Sequence, residues 1–431
     1  MTSTSQLLCQ LGLHSAFCAK IAKQHHFKSR KRSVHCFHYV VAILETCSNH
    51  VVSFNKLAAS IGLQFKVVVS RQAIHQALKA DAFPNFFDDI FSAFIAFKLT
   101  SRVRLPDFNR IIIQDSTIVK LPQRLFDEFS GVKNQRTQVA NARIQLALNL
   151  TNHSLSLFSL DEYSRPDISE AKALPIEKGD LILRDRGYLS IPEIHRLHES
   201  NAFYIFRYKF KMKFFDIKSG NMLCILTMLK TRKSLDIRAR LGTSDGPIVR
   251  IVAEPVSEEL ANERRRKAKK EKSSTPSKGN LESMGWTIFI TNLFNDQYSF
   301  AKILQMYGIR WNIEIVFKAL KSELNFEGIH NVAKYQLRFI VQARIMRLLL
   351  IYHLIAAIDQ LHQPEKSKKM PNLSFLKLAQ VLTQNTAIII KMWLELLSKK
   401  KLSDESTNFL NKYCTYEKRK REHAKVWIRI H

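Results

Sequence analysis

Acidic residues are the scarce class in this chain. Over 431 residues there are 37 Asp and Glu against 67 Lys and Arg, a formal charge of +30. That imbalance excludes an acidic solvating protein and points to a polyanionic partner, nucleic acid before anionic membrane. Cysteine is sparse too. The six residues Cys9, Cys18, Cys36, Cys47, Cys224 and Cys414 contain no C-x-x-C pair, which excludes a disulfide framework and fits reduced thiols and a cytoplasmic setting. His35, Cys36 and His38 lie close together but lack the paired spacing of a zinc module. No charged start followed by a clean apolar run opens the chain, so no signal peptide is expected over Met1–Phe27. Nor is there a long apolar run free of charge. The most apolar stretch, Phe339–Ile358, carries Arg344, Arg347 and His353, and two arginines are costly in lipid. A buried helix is expected there, and no membrane.

What is present is enough for a real core: 46% hydrophobic and 10% aromatic residues, in a length that allows two or three domains. Residues 1–100 have almost no glycine and read as helical. Within them, Ser53 can cap a short helix through Ala59, broken at Gly62, and Ser70 can cap a second, Arg71–Leu78. Two short helices about a glycine-containing turn describe a helix-turn-helix or an ordinary helical hairpin. In the first case Arg71, Gln72 and His75 would face DNA. From Arg104 the texture changes to short apolar strands, with a β-rich segment over 203–292. Inside it, Glu263–Lys278 holds eight basic residues against two acidic ones and reads as a mobile basic loop, a tether or a phosphate-tracking arm. Residues 299–325, 333–361 and 375–397 read as helices, and the tail 412–431 is basic.

The chemistry lies in three places. Arg110-Ile-Ile-Ile-Gln-Asp115 and Asp180-Leu-Ile-Leu-Arg-Asp185 are apolar runs ending in Asp, and strand ends deliver side chains to one sheet edge. Downstream, Tyr307, Arg310, Glu314, Lys318 and Lys321 recur at steps of three or four, which on one continuous helix puts all five on one face. Ile309, Ile313, Val316, Phe317 and Leu320 fall on the other side and should bury. Such a face can be a solvated lattice of ion pairs worth tenths of a kcal/mol each. Taken together, however, Asp115, Asp185 and Glu314 make sense as a Mg²⁺ site, because clustered carboxylates without a cation repel one another. Two such ions can activate a water or a 3′-hydroxyl at a phosphodiester.

At these residues the sequence resembles the DDE transposases of bacterial insertion sequences, in the group called insertion-sequence family four. Tyr307, Arg310, Glu314 and Lys321 match that group's Tyr-x2-Arg-x3-Glu-x6-Lys spacing. Asp115-Ser-Thr and Asp185-Arg-Gly-Tyr are similar to the motifs at its first two acids, and Trp286–Asn292 resembles its strand before the helix. The resemblance implies an α/β fold: an RNase H-like catalytic core with a β-rich insertion, flanked by helical N- and C-terminal regions. The expected layout is a DNA-binding region 1–100, core 101–202, insertion 203–292, core helices 293–361 and a helical basic region 362–431. It implies that Asp115, Asp185 and Glu314 are the catalytic and metal-binding triad for two Mg²⁺ ions, with Mn²⁺ able to substitute. Tyr307, Arg310, Lys318 and Lys321 would bind DNA. In related enzymes a Trp in the insertion stacks on a flipped base, and Trp286 is the candidate here, Trp311 being expected to pack. The implied partners are double-stranded DNA with terminal inverted repeats and target DNA, met as a homodimer in the bacterial cytoplasm. The implied reaction is cut-and-paste transposition by hydrolysis at the element ends and strand transfer. A tyrosine recombinase and a non-catalytic DNA-binding regulator are the rival readings.

Overall fold

The structure is a computed structural model; it describes residues 3–27, 34–47, 52–96, 107–133, 138–163, 167–271, 276–329, 332–361 and 373–415. The chain begins with helices α1 Ser3–Gln10, α2 Ser15–Gln24, α3 Cys36–Thr46, α4 Phe54–Phe65, α5 Arg71–Lys79 and α6 Ala82–Ala96. Strands β1 Arg110–Lys120, β2 Ser130–Lys133, β3 Gln138–Asn149 and β4 Ser154–Glu162 follow, then α7 Asp167–Ala171, β5 Asp180–Arg184, α8 Ile191–Glu199 and β6 Phe203–Arg207. Next come β7 Phe214–Phe215, β8 Met222–Leu223, α9 Ile225–Arg232, β9 Leu235–Leu241, β10 Ile248–Pro255, α10 Glu258–Glu271, α11 Lys278–Ser283 and β11 Trp286–Thr291. The rest is helical: α12 Phe300–Gly308, α13 Trp311–Ser322, α14 Lys334–Leu361, α15 Phe375–Gln384, α16 Thr386–Lys399 and α17 Asp404–Tyr413.

The strands join in one sheet of order β2-β3-β1-β5-β6-β11-β10-β9-β7-β8, with β4 also paired to β3. β1, β5 and β6 run parallel to their neighbours in this group, while β3 lies antiparallel to β1 and β4 to β3. The α/β class holds. The β-rich segment 203–292 does not stand apart from the sheet: its first strand, β6, pairs parallel with β5, β11 pairs antiparallel with β6, and β10 and β9 extend the same sheet beyond them. The segment also contains α9, α10 and α11, helices that its strand-like texture hid.

Two readings of local structure need correction. Gly62 does not end α4. The helix absorbs it and runs on to Phe65, where Lys66 adopts a left-handed conformation (φ 53°) and stops it. A glycine inside a helix costs only about 1 kcal/mol, less than the burial of Leu57 and Ile61 contributes. The supposed basic loop is helical through Glu271; residues 272–275 and the basic tail beyond residue 415 lie outside the described residues. Glu258 and Glu259 in the first turn of α10 and Lys269 and Lys270 in the last complement the helix dipole.

The helix α14 is long and apolar enough to cross a membrane, yet its apolar span is wholly buried inside the fold. Arg344 donates to the carbonyls of Cys47 and Asn325, and Arg347 to those of Leu44 and Leu382. Phe339 meets Phe83 of α6 at 5.5 Å. These contacts pack α3, α6 and α14 into the core that also covers one face of the sheet.

Candidate active site

Three segments far apart in the sequence meet at one end of the parallel strands. Asp115 lies on β1, half-buried, its Oδ1 accepting from the Ser116 backbone N–H at 2.8 Å. Asp185 follows β5 directly and precedes a short 3₁₀ turn, Arg186–Tyr188. Glu314 stands in the first turn of α13, which packs against β1. Arg310 ties two of them together: its Nη1 donates to Asp115 Oδ2 at 3.1 Å and its Nη2 to Glu314 Oε1 at 2.8 Å. Burial, reinforced by the negative charges of Asp185 and Glu314, pushes the Asp115 carboxyl up to about 6, against the pull of the Ser116 N–H and Arg310. A cleft of about 520 Å³ opens onto Asp115, Ser116, Thr117, Glu314, Lys318 and Lys321. A larger, mostly apolar cavity of about 900 Å³ lies among α6, β4 and α14 and contains none of the three acids.

Carboxylate oxygens are the hard donors that Mg²⁺ and Mn²⁺ take, usually only one or two alongside retained waters, so the donor set fits a divalent ion. The spacing is another matter. Among the described residues no group of three or more His, Cys, Asp or Glu side chains is drawn together closely enough to hold one. Between Asp115 and Glu314 stands the guanidinium of Arg310.

One residue upstream of each aspartate the strands are clamped. Gln114 and Arg184 are directly opposite in the β1–β5 register and both are 0% exposed. Arg184 Nε donates to Gln114 Oε1 at 2.7 Å, its Nη1 bonds Glu193, and its Nη2 donates to the Ala171 carbonyl at 3.2 Å. This lock fixes the relative height of Asp115 and Asp185. Sequence reasoning missed it; the signal was a charged residue at an inward position of an apolar strand.

The transposase DDE domain family matches residues 106–353, more than half of the chain and all three acids. The chain belongs to the DDE transposase family. Similar proteins span most of its length. The transposase for insertion sequence element IS231E of Bacillus thuringiensis subsp. finitimus is 23% identical over 89% of this chain and 88% of its own. Its IS231B counterpart in subsp. berliner is 24% identical over 79% and 77%, and the transposase for IS1151 of Clostridium perfringens 23% over 77% and 76%. The protein is therefore a DNA transposase, an enzyme of a family that uses divalent metal ions.

In this transposase the Tyr-Arg-Glu-Lys residues do not share one exposed helix face. At Ile309–Arg310 the backbone stays in the right-handed helical region but its bonds tighten to the 3₁₀ pattern, so Tyr307 lies in the last turn of α12 while Glu314, Lys318 and Lys321 ride on α13. Tyr307 is 6% exposed, rests on Phe289 (5.1 Å) and donates to the Arg184 carbonyl at 3.4 Å. Burial pushes its phenol up to about 12, and it backs Arg310 from inside (5.6 Å, ring to guanidinium) rather than facing the cleft. Lys318 is exposed, and Lys321 is half-buried with its Nζ 3.9 Å from Glu327. The inward residues Ile309, Ile313, Val316, Phe317 and Leu320 are buried as expected.

Of the two tryptophans, Trp311 departs from its expected place. Trp286 is half-buried at the start of β11, and its Nε1 donates to the Lys233 carbonyl at 2.9 Å. Trp311, next to Arg310, is 60% exposed instead of packed. On α5 the side chains of Arg71 and Gln72 are exposed, whereas the His75 ring is half-buried against Phe54 at 5.0 Å. Val68, between α4 and α5, is 98% exposed. On α10, Arg264 donates to the Trp286 carbonyl and to Thr287, and Arg265 to the Leu281 carbonyl. Arg266, Lys269 and Lys270 remain exposed. Sequence reasoning also missed Arg207. It closes β6 half-buried over Phe289 (5.5 Å), where its charge acts on Asp185 and Tyr307.

Proposed function

We propose that Asp115, Asp185 and Glu314 hold the divalent ions of this transposase, Mg²⁺ in the cell with Mn²⁺ able to substitute. On this reading the strand set β4-β3-β1-β5-β6, an antiparallel three-strand group continued by two parallel strands, is an RNase H-like core, and its order and directions are the support for that. The single observation that carries the assignment is the bridging of Asp115 and Glu314, 199 positions apart in the sequence (314 − 115), by one guanidinium, with Asp185 near enough to act on the Asp115 carboxyl. A structural ion-pair lattice has no need of an acid held up to about 6 in an open cleft.

When bound, divalent ions supply polarisation of the phosphodiester and activation of a water or 3′-hydroxyl. The chain's own residues do the rest. Asp115 and Glu314 present oxygens from β1 and α13, and the Gln114–Arg184 lock keeps Asp185 level with them. Lys318 and Lys321 line the cleft as point charges for the DNA backbone. The exposed Trp311 is better placed than Trp286 to stack on an unpaired base. The exposed residues of α5 and the basic face of α10 extend the DNA surface. The substrates are element ends with terminal inverted repeats and a target duplex. The reaction is hydrolysis followed by attack of the freed 3′-hydroxyl, carried out by a homodimer on DNA at the bacterial nucleoid. The Tyr-Arg-Glu-Lys spacing favours insertion-sequence family four.

The tyrosine recombinase alternative needs a nucleophilic phenol. Tyr307 is buried, pushed up to about 12 and turned to a backbone carbonyl, which argues for a supporting role. The test is nicking of a duplex bearing the element's own ends, with Mg²⁺ or Mn²⁺. Glu314→Gln should abolish nicking, and Tyr307→Phe should leave some. A trapped protein–DNA adduct lost in Tyr307→Phe would overturn the metal reading. Binding without nicking by the parent protein would favour the regulator.

A further inference from the structure

We infer that Arg310 is an internal counter-cation of the acid site, occupying the place of a divalent ion until a DNA phosphate draws its guanidinium outward. Cation loading and DNA-end binding are then coupled through one side chain. The inference rests on the assignment of Asp115 and Glu314 as metal-holding acids.

The geometry is that of a competitor. One guanidinium spans the gap between β1 and α13, 3.1 Å from Asp115 Oδ2 and 2.8 Å from Glu314 Oε1. A Mg²⁺ ion sits about 2.0–2.1 Å from each ligand oxygen. A divalent ion would compete with the Nη atoms for those same oxygens, and a guanidinium left beside it would repel it. The two cations therefore alternate.

Arg310 is held in this position but not fully satisfied there. It is 7% exposed, and its Nε is buried with no hydrogen-bond partner. A buried donor without an acceptor is a standing cost. A phosphate at the cleft mouth offers the planar fork a bidentate partner and releases that cost. Charge balances in the exchange. The acids give up a single positive charge and receive a double one, while the phosphate receives the arginine.

Two consequences follow. Binding is reciprocal, so DNA must raise metal affinity by the factor by which metal raises DNA affinity. If Arg310 is withdrawn in roughly one molecule in ten without DNA, the apparent metal affinity is about tenfold weaker than the intrinsic one.

The experiment is a Mn²⁺ titration of the full chain, read by the electron paramagnetic resonance of free Mn²⁺, with and without a pre-cut end duplex. Without DNA, Arg310→Gln should bind Mn²⁺ about tenfold more tightly than the parent. The duplex should tighten binding to the parent by a similar factor and change Arg310→Gln much less. Arg310→Lys, with one charge and no fork, should fall between them and serves if the Gln variant does not fold. Arg310 variants that bind no more tightly than the parent, while Asp115→Asn still removes the bound Mn²⁺, overturn the exchange and leave the acid site standing. Mn²⁺ binding indifferent to both Asp115→Asn and Glu314→Gln overturns the acid site and the exchange with it.

Discussion

Gln114 and Arg184 stand one residue before Asp115 and Asp185, and the two pairs are opposite in every physical respect. The upstream pair is wholly buried, its members bonded to each other, Arg184 also to Glu193. The downstream pair is half-buried, Asp115 opening onto the cleft, and Asp115 carries the cost of a charge in a place that burial and its neighbours make unfavourable. Along a strand a single step reverses the direction of the side chain, so the same two strands hold a structural lock on one face and reactive groups on the other. On the proposed assignment the difference separates polar groups that hold the strands together, fully buried and paired, from acids left half-buried for chemistry.

That contrast can be broken by substitution, first at its reactive end. Asp185→Asn and Glu314→Gln should each lower end cleavage about a thousandfold or more, equivalent to roughly 4 kcal/mol of transition-state stabilisation. Thermal melting should stay within a degree or two of the parent. If the melting point collapses instead, these acids belong with the lock. Arg184→Met tests the other side. Removing one partner of a buried charged network costs about 3–5 kcal/mol of stability, so urea denaturation should register a large loss, with inactivity only as its consequence. A variant of normal stability and no activity would move Arg184 into the reactive class.

The tryptophans extend the comparison to exposed and anchored rings. Trp311→Ala should weaken affinity for the end duplex about tenfold, in line with ~1–3 kcal/mol per stacked base, at unchanged melting point. Trp286→Ala should do the reverse, since its indole packs against the sheet and bonds Lys233. Acidity sharpens the same line. The Asp115 carboxyl, pushed up to about 6, is protonated below that pH and cannot take a cation. Mn²⁺ affinity should be full above about pH 6 and fall about tenfold per unit below it; a flat profile down to pH 4.5 would place the metal elsewhere. The smallest effect is electrostatic. Replacing Arg266, Lys269 and Lys270 on α10 by Ala should reduce the salt dependence of DNA binding by up to about three in log–log slope. An unchanged slope would make α10 a spacer.

Much of this was legible in the chain. The first apolar run ending in Asp, and Glu314 and Lys321 at helical spacing, led to residues that line one cleft, with Arg310 bonded to two of the acids. The burial of Tyr307 was not legible, because spacing places residues on a helix face but does not say which neighbours, here Phe289 and the Arg184 carbonyl, will cover it. The union of segment 203–292 with the main sheet depends on β6 pairing with β5, and on β11 returning to β6 across the intervening strands and helices, pairings that no local pattern encodes. In α10 the concentration of charge hid a helix whose acids lead and whose lysines trail. The exposure of Trp311 was not legible either, since a ring beside Arg310 on a helix can pack or face solvent according to what the fold lays over it.

The central claim is that Asp115, Asp185 and Glu314 form one cation-binding site for phosphodiester chemistry. Anomalous diffraction from a crystal of the transposase with end DNA and Mn²⁺ tests it most directly. The account requires a manganese peak ligated by Asp115 and by at least one of Asp185 and Glu314, with Arg310 turned away toward a phosphate. Cleavage-competent crystals whose manganese lies away from all three carboxylates would contradict it.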